Sequence, residues 1–204
     1  MRLLCKVLFI PIYVFLAGCN RNVDTNLIKE GDIVFQQSIS RQSAAVELAT
    51  HSRYSHMGMI FKENGEFLVL EAVQPVQYTP LDEWIKRGKR GHIVIKRLKD
   101  KALDYDVIKK MKLQGESYVG KKYDIHFEWS DEKIYCSELV WKIYKDVLGV
   151  EIGPLKKLKD FDLKHERVQS IMKKRYGENI PYEETVVSPG DIFDSEKLEL
   201  VMEE

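Results

Sequence analysis

Ile134-Tyr135-Cys136-Ser137-Glu138-Leu139-Val140-Trp141 is the stretch on which the reading of this chain turns. From here to Leu148 the apolar residues Leu139, Val140, Ile143, Tyr144 and Val147 recur at helical spacing, so a helix is expected over 134–148 with Cys136 at or near its start. The first N–H groups of a helix have no intrahelical partner, and the aligned peptide dipoles favour negative charge beside them. A thiolate gains from both, and the thiolate is the nucleophilic form of cysteine. The same free N–H groups, those of Cys136 and Ser137 among them, suit the oxyanion of an acyl-transfer intermediate. One location thus offers two requirements of nucleophilic catalysis. The bland alternative is a small cysteine buried for packing.

A catalytic thiol needs a base, usually an imidazole, and the imidazole needs an acceptor to orient it. Ser55-His56-Met57-Gly58-Met59 begins an apolar run through Phe61, and a second run covers Phe67 to Val73. Asn64-Gly65 lies between them, a strong hairpin signal. A turn there sets His56 opposite about Val73, with Glu71 a diagonal neighbour on the same face. Glu71 can then accept from one ring nitrogen while the other faces Cys136, which is the logic of a triad with a carboxylate orienter. His51 is the competing base, although its context is helical. His92, His126 and His165 have no partner spacing and are expected to be structural or exposed. No pair of histidines or cysteines has metal-ligand spacing, so neither a metal nor another cofactor is expected.

Outward from these motifs the chain alternates. Strands are expected at 31–35 and 92–98, and helices at 40–50, 80–86 and 104–113. A partly helical stretch is expected at 156–175, and a last turn and strand at 186–193. The architecture is α+β, an antiparallel sheet packed against helices. Gly-Asp-Ile occurs at 31–33 and again at 190–192, but one echo is no repeat architecture. Gly115 to Lys122 nearly matches a phosphate-binding loop. It lacks the final hydroxyl residue and follows a helix where a strand is required, so nucleotide binding is not expected.

The chain carries 32 Lys and Arg against 32 Asp and Glu, interspersed, so no nucleic-acid footprint stands out. Arg2 and Lys6 precede a short apolar run that closes in Leu16-Ala17-Gly18-Cys19. This pattern resembles the lipobox of bacterial lipoproteins. Residues 1–18 are therefore expected to be a signal peptide, Cys19 the lipidated residue, 19–27 a tether and 28–204 one folded domain. Membrane attachment through the lipid and location in the cell envelope follow as expectations. With Cys5 removed and Cys19 acylated, Cys136 has no disulfide partner.

The chain order His, Glu, Cys brings these motifs together. Tyr-Cys-Ser-Glu-Leu-Val at 135–140, Ser-His-Met-Gly-Met at 55–59 and Gly-Asp-Ile-Val-Phe at 31–35 resemble the YiiX-like family, circularly permuted papain-like members of the NlpC-type cysteine hydrolases. The resemblance spans about Gly31 to Ile192. It implies an NlpC-like fold with Cys136 as nucleophile, His56 as base and Glu71 as third member. It also points to Tyr123, a tyrosine upstream of the cysteine, as an added oxyanion donor. Glu138 stands where unpermuted relatives carry glycine. The expected activity is that of a thiol amidase or peptidase on short or cell-wall-derived peptides. Its competitors are acyltransferase, thioesterase or lipase-type activity on acyl substrates at the same site, and a non-enzymatic binding lipoprotein on the same fold.

Overall fold

Residues 23–204 are described by the computed structural model. The expected signal peptide, Cys5, the lipidation site Cys19 and the first residues of the tether lie outside them. The elements run β1 (Ile33–Gln36), α1 (Arg41–Thr50), β2 (His56–Glu63), β3 (Glu66–Glu71), β4 (Gln77–Pro80), α2 (Leu81–Arg87), β5 (Val94–Leu98) and α3 (Tyr105–Glu116). They continue with β6 (Lys122–Tyr123), β7 (Lys133–Ile134), α4 (Cys136–Leu148), β8 (Lys156–Lys157), α5 (Glu166–Tyr176), β9 (Thr185–Val186), α6 (Pro189–Phe193) and β10 (Leu198–Glu203). Six strands form one sheet in the order β10-β5-β1-β2-β3-β4, and each neighbouring pair is antiparallel.

Side chains alternate across a strand, and here both faces are covered. Ile33, Phe35, Met57, Met59, Phe61 and Leu70 join the larger apolar cluster, with Leu139, Val140 and Ile143 of α4 and Met111 of α3. Val34, Ile60, Val69 and Ile95 join a second cluster with Leu81 and Trp84 of α2. Each large apolar side chain fully buried this way stabilises the fold by about 1.5–3 kcal/mol. The β2–β3 hairpin closes at Asn64 and Gly65, whose φ angles of 51° and 87° supply the left-handed turn that matches strand twist. Its register pairs Met59 with Leu70 and Glu63 with Glu66. Gly58 is required where β2 meets β3, because a Cβ there would lie 2.4 Å from Val69 Cγ1 and 2.7 Å from the Leu70 carbonyl oxygen.

Most expected elements form within a few residues of their expected positions. The exception is the stretch 186–193, expected as a turn and strand. It forms the helix α6, begun by Ser188, whose hydroxyl accepts from Asp191 N–H at 3.0 Å, with Pro189 in the first turn. The closing strand is β10, further on. The first Gly-Asp-Ile segment therefore leads from a turn into a strand, and the second lies in a helix. Gly115 sits inside α3 against Leu70, and the segment that follows turns out of a helix, as its sequence context implies. No helix among the described residues is long and apolar enough to cross a membrane.

Candidate active site

Cys136 is the first residue of α4, and its side chain is almost wholly buried. Tyr135 at the N-cap offers no side-chain acceptor to the first-turn N–H groups, because its hydroxyl instead accepts from Val187 N–H at 3.2 Å. Ser137 Oγ donates to the Val187 carbonyl at 2.8 Å. Its side chain is thereby held by the backbone of the 186–188 segment.

His56 starts β2, where the strand ends beside the α4 N-terminus. Its Nε2 lies 2.6 Å from Glu71 Oε2, at the end of β3. The other nitrogen is left for Cys136, which lies close enough to act on the charge of the ring. Burial pushes the imidazole pKa down, but Cys136 beside the ring and the hydrogen-bonded, negatively charged Glu71 outweigh it and raise His56 to about 9. The ring is therefore protonated at neutral pH.

Glu71 is fully buried and needs donors for both oxygens. Thr79 of β4 donates to Oε1 at 2.6 Å, and Arg87 of α2 donates to the same oxygen. Burial raises the Glu71 carboxyl, but His56 first, then Thr79 and Arg87, bring it below the usual carboxylate range. Trp84, also on α2, stacks on the His56 ring at 6.0 Å between centroids and an angle of 25°. Thr79, Arg87 and Trp84 did not emerge from the sequence. They belong to β4 and α2, and nothing in their local pattern ties them to a hairpin glutamate. A cation near the expected end of a helix was the faintest hint.

Tyr123 in β6 reaches the same place. Gln42 of α1 donates to its hydroxyl at 2.9 Å, and Arg175 of α5 holds Gln42 at 2.7 Å. With a lone pair so used, the phenol proton is free to donate. Burial, then the negative charge of Cys136, keeps the phenol neutral well above the usual tyrosine range. The other histidines lie elsewhere. His51 ends α1, exposed, 3.3 Å from Asp162. His165 caps α5 by accepting from Arg167 N–H at 3.1 Å, and His92 meets the Glu204 carbonyl at 2.7 Å. His126 packs its ring against Tyr176.

A profile described as a permuted papain-like amidase enzyme, YaeF/YiiX, C92 family, matches residues 27–202. The chain is 49% identical over 174 residues to an uncharacterized protein YiiX of Escherichia coli (strain K12), covering 85% of this chain and 86% of that one. It is also similar to a crystal structure described as metalloprotein yiiX from Escherichia coli O157:H7. There the TM-score is 0.83 at 49% identity, over 86% of this chain and 97% of that one.

Proposed function

The chain belongs to the permuted papain-like amidases of the YaeF/YiiX, C92 family, and we propose that it hydrolyses small amides, short and cell-wall-derived peptides among them, through Cys136, His56 and Glu71. The observation that carries this reading is the hydrogen bond between Glu71 and His56, set beside Cys136 at the start of α4. The thiolate attacks the amide carbonyl carbon. The N–H groups of Cys136 and Ser137 and the Tyr123 hydroxyl receive the oxygen as it gains charge. His56 gives its proton to the departing nitrogen and then takes one from the water that releases the acyl group from sulfur. Glu71 holds the ring and stabilises its charge.

The crystallised relative is described as a metalloprotein. Among the described residues of this chain, no group of three or more His, Cys, Asp or Glu side chains is arranged to hold an ion. At the site itself Cys136 and His56 supply two donors, whereas both Glu71 oxygens already accept from His56, Thr79 and Arg87. A resident zinc takes three or four protein ligands. These residues do not fit one, and no step here uses it.

Iodoacetamide treatment of the full chain, with labelling read peptide by peptide, tests the thiol. Cys136 should alkylate rapidly in the folded protein, and Cys136→Ala should lose amide turnover. His56→Ala should slow the alkylation, while His51→Ala leaves it fast. A Cys136 that resists until the protein unfolds would favour the binding-lipoprotein reading. We also propose attachment to a membrane through lipidated Cys19, supported by the Leu-Ala-Gly-Cys close of the apolar run. Cys19→Ala should then abolish fatty-acid incorporation, and unchanged incorporation would remove the anchor.

A further inference from the structure

Three cations that reach into the fold meet a buried carboxylate there: Arg97 at Asp32, Arg87 at Glu71 and Lys142 at Glu138. Arg175 of α5 reaches in as well, yet it joins no ion pair among the described residues. Its guanidinium donates to Gln42 Oε1 at 2.7 Å and lies 5.1 Å from the centre of the Phe127 ring. Burial brings its pKa down, as expected of a charge held from water without an anion.

This cation settles the direction of every hydrogen bond between itself and the reaction. A guanidinium can only donate, so the Gln42 atom that faces it is the carbonyl oxygen. The Gln42 amide NH2 must then be the group facing Tyr123, 2.9 Å from its hydroxyl oxygen. A phenol has one proton, and with Gln42 donating to its oxygen that proton cannot point back at Gln42. The backbone of Tyr123 is fixed independently. Its N–H donates to Gln74 Oε1 at 2.7 Å, and it pairs with Ile134, two residues before Cys136. The hydroxyl therefore stands at the thiol with its proton free on that side.

We propose that Gln42 and Arg175 are positioning residues of the reaction, a relay from α5 through α1 that aims the Tyr123 proton at the carbonyl oxygen and sets an unneutralised positive charge behind it. The inference rests on the hydrolase reading above and extends its machinery to two residues that touch neither thiol nor imidazole. Donors fixed in advance where charge develops cost no reorganisation during the reaction, which is what such a relay supplies.

Two reagents applied to the full chain separate aim from structure. With 4-nitrophenyl acetate the Cys136 sulfur bonds to the acetyl carbon, the ester C–O bond breaks and nitrophenolate leaves, so an oxyanion must form. With iodoacetamide the sulfur displaces iodide at a saturated carbon, and no oxyanion forms. Both consume the thiolate, so the ratio of acylation to alkylation rates cancels changes in its amount. Acylation is read as the nitrophenolate release that Cys136→Ala abolishes. Gln42→Glu keeps the shape but accepts from both neighbours, turning the phenol proton away and neutralising Arg175. It should lower the ratio by about 10²- to 10³-fold, as should Tyr123→Phe. The two together should do no more than either alone. Arg175→Met should lower the ratio by about tenfold, and Arg175→Lys should recover part of that. An unchanged ratio in Gln42→Glu overturns the inference, as does an equal fall on the Tyr123→Phe background. Should Gln42→Glu misfold, an unchanged ratio in Arg175→Met overturns it instead. In these outcomes the hydrolase reading stands as long as the wild type is acylated at Cys136. If Cys136 of the folded wild type takes neither reagent, both fall.

Discussion

Glu71 and Glu138 are both fully buried carboxylates within reach of a cation, yet they differ in charge. Burial pushes each one up. Glu71 is brought below the usual range because His56, Thr79 and Arg87 crowd its two oxygens with donors. Glu138 receives one cation, Lys142 at 2.8 Å, and a long hydrogen bond of 3.4 Å from Tyr135 N–H. Burial therefore lifts it to about 7, with Lys142 recovering only part of the cost. Depth does not decide ionisation here; the number and closeness of donors do. A carboxylate meant to hold a charged imidazole must be overdetermined.

The strongest way to break this contrast is Glu71→Gln. An amide holds the ring but cannot stabilise its charge, so turnover should fall by about 10³- to 10⁴-fold with the fold retained. Turnover within tenfold of wild type would remove Glu71 from the mechanism. The pH profile sharpens the same point. His56 must be protonated to serve the leaving group, so activity should fall on the alkaline side near 9, as an apparent value of the coupled pair. Without the Glu71 charge that limb should move down towards the free imidazole value of about 6.5. An unmoved limb would show that Glu71 does not set it. The raised His56 pKa also contributes stability that is present below about 6.5 and lost as pH rises through about 9.

Thr79→Val removes one of the donors and should have a smaller effect, about 1 kcal/mol of stability and roughly tenfold in turnover. An unchanged Glu71-dependent profile in that variant would mean that Arg87 and His56 suffice. Glu138→Gln should leave turnover within about twofold. Its signature is thermodynamic. The wild type is favoured while Glu138 is protonated, below about 4.5, and loses that advantage as pH rises through about 7. Denaturation at several pH values should show the variant gaining on wild type over that window, then levelling off. Parallel stability curves would mean that Glu138 stays charged throughout.

The parts of the site legible in the sequence are those that local patterns encode. The α4 apolar spacing places Cys136 at a helix start, and Asn64-Gly65 sets a register that brings His56 to Glu71. What local pattern cannot carry is the support that arrives from elements distant in the chain. Thr79, Arg87 and Trp84 converge on the hairpin only because β4 joins the sheet edge and α2 folds back over it. Gln42 reaches Tyr123 across the space between α1 and β6 for the same reason. The expected strand at 186–193 failed differently, since Val186-Val187 and Ile192-Phe193 have strand-like composition. The Ser188-Pro189 pair, a cap followed by a residue suited to the first turn, carried the opposing signal.

The order of these parts along the chain divides the site in two. His56, Glu71, Thr79, Trp84 and Arg87 all precede α3, whereas Cys136 follows it. The thiol meets the imidazole only where α4 packs on β2, while β10, the last strand, pairs with β5 at the far edge of the same sheet. The two halves of the pair are thus joined by packing between elements far apart in the chain, and a chain ending after α3 would hold the imidazole and its carboxylate with no thiol beside them.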